Sequence, residues 1–158
     1  MSTNDYLKLF VAIFVSELAG IIGSFFTISE IPNWYAGLAK PALTPPDFVF
    51  GPVWITLYAL MGIAAFLIWK NGLGERRVRI ALAVFILQLV LNALWSVVFF
   101  DLQSPGSALV VIALLWLFIF WTMVLFRKIS KWAAYLLVPY ILWVSFAMYL
   151  NYAIWILN

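Results

Sequence analysis

The polar residues of this chain are few, and their positions decide what chemistry it can do. Glu17 stands in the middle of an apolar run from about Leu7 to Phe26. An ionised carboxylate at the centre of a bilayer costs about 3 kcal/mol or more, so Glu17 must be protonated or turned toward a wet or polar interior. Gln88, Asn92 and Ser96 recur every four residues inside another apolar run, which puts them on one helix face with Trp95 and Phe99 at its flanks. Tyr140, Trp143, Ala147, Asn151 and Ile154 form a second such face, and Trp54, Tyr58, Met61, Ala65 and Trp69 a third. Amides in membrane helices often bond helix to helix, at about 0.6 kcal/mol each on average. Three faces of aromatic, small and amide residues turned toward one another would equally wall a small-molecule cavity. On spacing alone both readings stand.

The residue types that are missing narrow the chemistry further. There is no cysteine and no histidine. That removes disulfides, zinc–thiolate sites, thiol nucleophiles and the commonest general base, and with them Ser-His-Asp and Cys-His catalysis. Of the usual haem ligands only Met and Tyr remain, without a paired arrangement in the apolar runs. A flat tetrapyrrole held by stacking on tryptophan suits this inventory better than an axially ligated haem, so we expect no metal and no resident cofactor.

These residues need a scaffold, and composition says which. Of 158 residues, 67% are hydrophobic and 9% charged, against about 45–50% and 25% in soluble domains. A hydrocarbon layer of about 30 Å takes roughly 20 helical residues to cross. Five runs reach that length, at about 7–26, 48–69, 80–100, 107–126 and 133–157. The first is longer than a signal-peptide core and has no small-x-small cleavage site, so it counts as a span. The expected fold is all-α, one integral membrane bundle of five transmembrane helices over residues 1–158.

The basic residues support the count. Alternate connections lie on alternate sides, and Lys8, Lys70, Arg76, Arg77, Arg79, Arg127, Lys128 and Lys131 fall on one side, with only Lys40 opposite. By the positive-inside rule the N-terminus is cytoplasmic and the C-terminus external. The net charge of +3 thus marks topology rather than nucleic-acid binding. The longest connection, 27–47, carries Pro32, Pro41, Pro45 and Pro46 with Trp34 and Tyr35. Its prolines make it stiff. It is either a lid over the bundle or an interfacial anchor. In the first span Ser16, Gly20 and Ser24, with Ala19 and Gly23 beside them, make a ridge that lets helices approach closely, within the bundle or between two copies as a homodimer. Trp69, Trp116, Trp121, Trp132 and Trp155 read as interfacial belt residues.

Several of these stretches together resemble one family. Trp34-Tyr35-Ala36-Gly37-Leu38-Ala39-Lys40-Pro41 followed by Pro45-Pro46 is similar to the first-loop signature of TspO/MBR proteins, the tryptophan-rich sensory and translocator proteins. Phe50-Gly51-Pro52-Val53-Trp54, Leu57-Tyr58 and Met61-Gly62 resemble the family's second helix, Gln88, Leu91-Asn92, Trp95 and Phe99-Phe100 its third, and Pro139-Tyr140, Trp143, Phe146-Ala147 and Leu150-Asn151 its fifth. The resemblance implies a ligand cavity under the first loop, with porphyrins and other apolar aromatic molecules as ligands and a sterol or lipid as a further partner. By position, Tyr35 and Pro45 would form the lid wall and Trp54 and Trp143 the facing tryptophans. Asn92, Trp95, Phe99, Phe146, Ala147 and Leu150 would line the depth. The family's fourth helix gives nothing to carry over. The implied function is a receptor or binding protein serving tetrapyrrole transport or stress sensing; the alternative is an enzyme that degrades porphyrin in light through Trp54 and Trp143. The sterol motif of some members needs a basic residue soon after a tyrosine, and Tyr152 is followed by none, which counts against sterol here.

Overall fold

A computed structural model describes residues 1–158 as five long helices with no strand. They are α1 (Thr3–Thr27), α2 (Asp47–Trp69), α3 (Arg76–Asp101), α4 (Pro105–Arg127) and α5 (Lys131–Leu157), each long and apolar enough to cross a membrane. All start before the apolar runs do, and side-chain caps extend two of them, α1 and α5. Ser2 and Asp5 form a reciprocal capping box on α1: the Asp5 amide donates to Ser2 Oγ at 3.3 Å and the Ser2 amide to the Asp5 carboxylate at 2.9 Å. Pro105 opens α4, where the missing N–H costs nothing.

Two helices depart from regularity, each for a local reason. Pro139 has no N–H for the carbonyl four residues back, and its ring crowds that carbonyl. The chain therefore breaks at Leu137, whose amide takes a tighter bond to Ala134 at 3.1 Å. The last turn of α3, Val97–Asp101, is a π-turn in which the Leu102 amide reaches back five residues to Val97 at 2.9 Å. This wider turn presents Phe99 and Phe100 inward together, and both are buried.

The helices close into a ring in the order α1, α2, α5, α4, α3. The α1–α2 seam is tight: a Cβ on Gly62 would meet the Ile13 backbone, 2.8 Å from its nitrogen. One on Gly20 would run into the Tyr58 ring, and one on Gly23 would sit 3.0 Å from Ser96 Oγ. The small-residue ridge therefore serves contacts within the chain. One half of the bundle is solid: Met61, Ala64, Ile68, Val78, Ala81, Ile119, Phe126 and Ala133 are fully buried there. The other half, beneath the first loop, is not.

Candidate functional site

The unfilled half holds a cavity of about 520 Å³, within the range of about 300–1,000 Å³ usual for small-molecule sites. Its wall takes residues from α1, the first loop, α2, α3 and α5, and none from α4. On α1 the wall follows helical spacing through Glu17, Gly20, Ser24 and Thr27; α2 supplies Asp47, Phe50, Trp54 and Tyr58. From α3 come Asn92, Trp95, Ser96, Phe99 and Phe100, and from α5 Ala147, Leu150, Asn151 and Ile154.

A chain of hydrogen bonds runs beneath the cavity. Tyr58 Oη donates to Asn92 Oδ1, Asn92 Nδ2 to Tyr140 Oη at 2.8 Å, and Tyr140 Oη to Gln88 Oε1 at 2.7 Å. Gln88 Nε2 ends it on the Met61 sulfur at 3.7 Å. Three helices are thereby tied at one level, and all five residues are buried. We expect Asn92→Leu to lower stability by about 2 kcal/mol, because it strands the Tyr58 hydroxyl, and a buried unpaired group costs about 1–3 kcal/mol. Reversible unfolding in detergent measures this; a loss near 0.6 kcal/mol would mean the bonds carry only the membrane average.

Above it the wall is aromatic. Trp54 stacks on Tyr58 at 5.5 Å and meets Tyr140 edge-on at 6.3 Å. Trp95 packs on Phe99 at 5.4 Å, and its indole donates to Asn151 Oδ1 at 2.9 Å; Asn151 Nδ2 donates in turn to the Pro105 carbonyl at 2.7 Å. The indole's face is thus set by α5 and by the start of α4.

The first loop roofs the cavity. Tyr35, at the head of a single 3₁₀ turn (Tyr35–Gly37), is buried on the wall, 5.7 Å from the Phe100 ring, and Trp34 sits edge-on to Phe99 at 5.6 Å. Burial, with Asp47's charge adding to it, pushes the Tyr35 phenol up to about 12, so it stays protonated at neutral pH. Lys40 Nζ lies 4.5 Å from the centre of its ring. Two polar contacts hold the roof: Asn158 exchanges two bonds of 3.0 Å with the Ala39 backbone, and Gln103 Nε2 donates to Glu30 at 3.1 Å. On the α1–α2 side the rim consists of Ile21, Ile28, Phe48, Gly51 and Ile55, all exposed, with Phe48 at 79% and Ile28 at 68%.

Seven of the ten residues expected at the site meet at this cavity: Tyr35, Trp54, Asn92, Trp95, Phe99, Ala147 and Leu150. Pro45, Trp143 and Phe146 do not reach its wall. Trp143 stands behind Phe50, edge-on at 6.0 Å, with Phe146 on its other side at 5.7 Å and its indole N–H buried without a partner. It does not face Trp54 across the cavity. Phe50, one turn before Trp54 on the same face of α2, lines the wall in its stead. Trp116 is no belt residue: it lies mid-way along α4 and donates to Ser145 Oγ on α5 at 2.9 Å. The wall also takes Tyr58, Ser96 and Asn151 from the three inward faces, and Glu17, Gly20, Ser24 and Phe50, which the ten expected residues leave out. For α1 the signal was present as polar and small residues three and four apart; for Phe50 there was none. No cluster of His, Cys, Asp or Glu able to hold a metal exists in the fold.

The model of the TspO/MBR family matches residues 11–156, nearly the whole bundle. The chain belongs to the TspO/MBR family. It is 45% identical over 155 residues to the tryptophan-rich protein TspO of Archaeoglobus fulgidus, covering 98% of this chain and 99% of that one. It is 41% identical over 141 residues to the human translocator protein (88% and 83%) and 37% identical over 150 to the tryptophan-rich sensory protein of Cereibacter sphaeroides (93% and 92%). As a TspO/MBR protein with five apolar helices of spanning length, it is an integral, multi-pass membrane protein.

Proposed function

We propose that this chain is a membrane receptor for porphyrin-like and other flat, apolar aromatic ligands, bound in the cavity under the first loop and serving tetrapyrrole transport or stress sensing. The observation that carries the reading is the wall itself: Tyr35, Trp54, Trp95, Phe99 and Phe100 around one ligand-sized space with few polar groups. Indole and phenyl faces contribute about 0.5–1.5 kcal/mol each on stacking, beyond the area they bury. Titration of purified protein with a porphyrin, followed by absorbance in the dark and in light, tests it. Saturable binding with a stable Soret band fits a receptor. Light-dependent loss of the band that needs the protein would turn the assignment to a degrading enzyme. That alternative draws on Trp54 and Trp143 as a facing pair, and of these two only Trp54 borders the ligand space.

The orientation proposed from the basic residues puts the lid and cavity mouth on the external side. A reporter fused after Asn158 should then read as external and one in the Gly72–Gly74 turn as cytoplasmic. The reverse pattern would invert the protein and place the cavity mouth in the cytoplasm.

A further inference from the structure

The cavity wall carries two acids, Glu17 and Asp47, and no lysine or arginine. Most other polar side chains on the wall are already satisfied inside the protein: Ser24 and Thr27 bond their own helix, Tyr58 bonds Asn92, and Trp95 bonds Asn151. The two carboxyls accept no hydrogen bond from any side chain or backbone group, and the chain's one ion pair, Arg77 with Glu75, lies at the start of α3, away from the cavity. Asp47 heads α2 at the mouth. Glu17 lies about 15 Å below the end of α1 at 1.5 Å per residue, beside Gly20, whose missing side chain leaves room for the Tyr58 ring. Charge interactions strengthen sharply as water is excluded, so an unpaired carboxyl at that depth makes the cavity selective by charge.

We propose that the cavity takes lipophilic amines: a flat apolar body between Trp54, Trp95 and Phe99, and one protonated nitrogen that pairs with Glu17 after passing Asp47. The proposal rests on the reading of the cavity as an aromatic-ligand site and adds the polar end of the ligand. An ammonium supplies the counter-charge and the N–H donors that Glu17 lacks within the protein. An anionic group at the same depth meets a carboxyl and no base. A porphyrin obeys this rule when an apolar edge of its ring enters first and its carboxylates remain at the mouth, where Lys40 covers Tyr35.

Three molecules with one aromatic body test this: 1-pyrenemethylamine, 1-pyrenemethanol and 1-pyrenecarboxylate. Each is titrated into protein in phosphatidylcholine nanodiscs, with energy transfer from tryptophan as the readout and empty nanodiscs as background. The expected order is amine, alcohol, carboxylate, with the amine about 10- to 100-fold tighter than the alcohol, the range of a charge-assisted hydrogen bond. Glu17→Gln should bring the amine down to the alcohol's affinity and leave the alcohol within about twofold, since Gln keeps the shape and loses only the charge. Glu17→Asp should retain the preference for the amine. If amine and alcohol bind wild type equally, or the preference survives Glu17→Gln, selection by Glu17 is wrong while the aromatic site stands. If none of the three binds, the aromatic reading falls and this proposal with it. The wild-type order decides even should Glu17→Gln not fold.

Discussion

Trp54→Ala should weaken porphyrin binding by about 2–3 kcal/mol, or roughly 30- to 150-fold, from lost stacking and lost buried area together. Trp54 borders the cavity and is steadied from behind by Tyr58 and Tyr140, so its face is presented to a ligand at little entropic cost. Trp143→Ala should cost less than about tenfold, because Phe50 stands between that indole and the cavity. Trp143→Phe should be mildly stabilising, since it deletes a buried N–H with no acceptor. Trp132, 73% exposed on the first turn of α5, is the neutral control. Fluorescence quenching by bound porphyrin reads the affinities, and thermal unfolding reads the stability of Trp143→Phe. Equal losses for Trp54→Ala and Trp143→Ala would show that Phe50 swings aside when ligand binds.

Gly62→Ala should lower stability by about 3 kcal/mol, at the upper end of what one added methyl does in a packed interior. The new Cβ would press on the Cα and nitrogen of Ile13, and backbone cannot turn aside as a side-chain tip can. Only a shift of α1 against α2 would relieve it, and that shift also opens the cavity wall they share. Gly51, eleven residues earlier, is the contrast: beyond its chain neighbours nothing lies within 4 Å of its would-be Cβ, so Gly51→Ala should change stability by less than about 1 kcal/mol, the backbone entropy gained being offset by crowding against Pro52. A pair of thermal unfolding curves decides it. Equal shifts would mean that helix propensity, not the α1–α2 seam, governs both positions.

What the sequence made legible follows from what periodicity measures. Span count and side-chain faces depend on local spacing, so Gln88, Asn92, Tyr140 and Tyr58 could be placed on facing stripes, and the structure joins them in one network. What periodicity cannot give is the rotation of one helix against another. Trp54 and Trp143 both stand on stripes with polar or small neighbours, yet Trp54 borders the cavity and Trp143 packs against Phe50 off its wall. Trp116 shows the same limit: its position along α4 was readable, but its partner Ser145 is a property of the α4–α5 pairing. Glu17 was legible as a problem, a carboxyl in an apolar run, and only the closure of α1 against α2 and α3 shows which space it faces.

The exposed rim of Ile21, Ile28, Phe48 and Ile55 has a consequence for any dissociation constant measured on this chain. Those side chains belong to the surface that meets acyl chains, and the cavity opens between them. A ligand soluble in the bilayer is therefore supplied from a reservoir that dilutes with every added lipid or detergent micelle. Its apparent Kd, stated per litre of sample, should rise in proportion to the amphiphile present, while the value stated per mole of lipid stays constant. Affinities from two preparations become comparable only after that partition is divided out. The first loop, held at Ala39 and Glu30, closes one end of the cavity, and the apolar rim between α1 and α2 is its exposed edge.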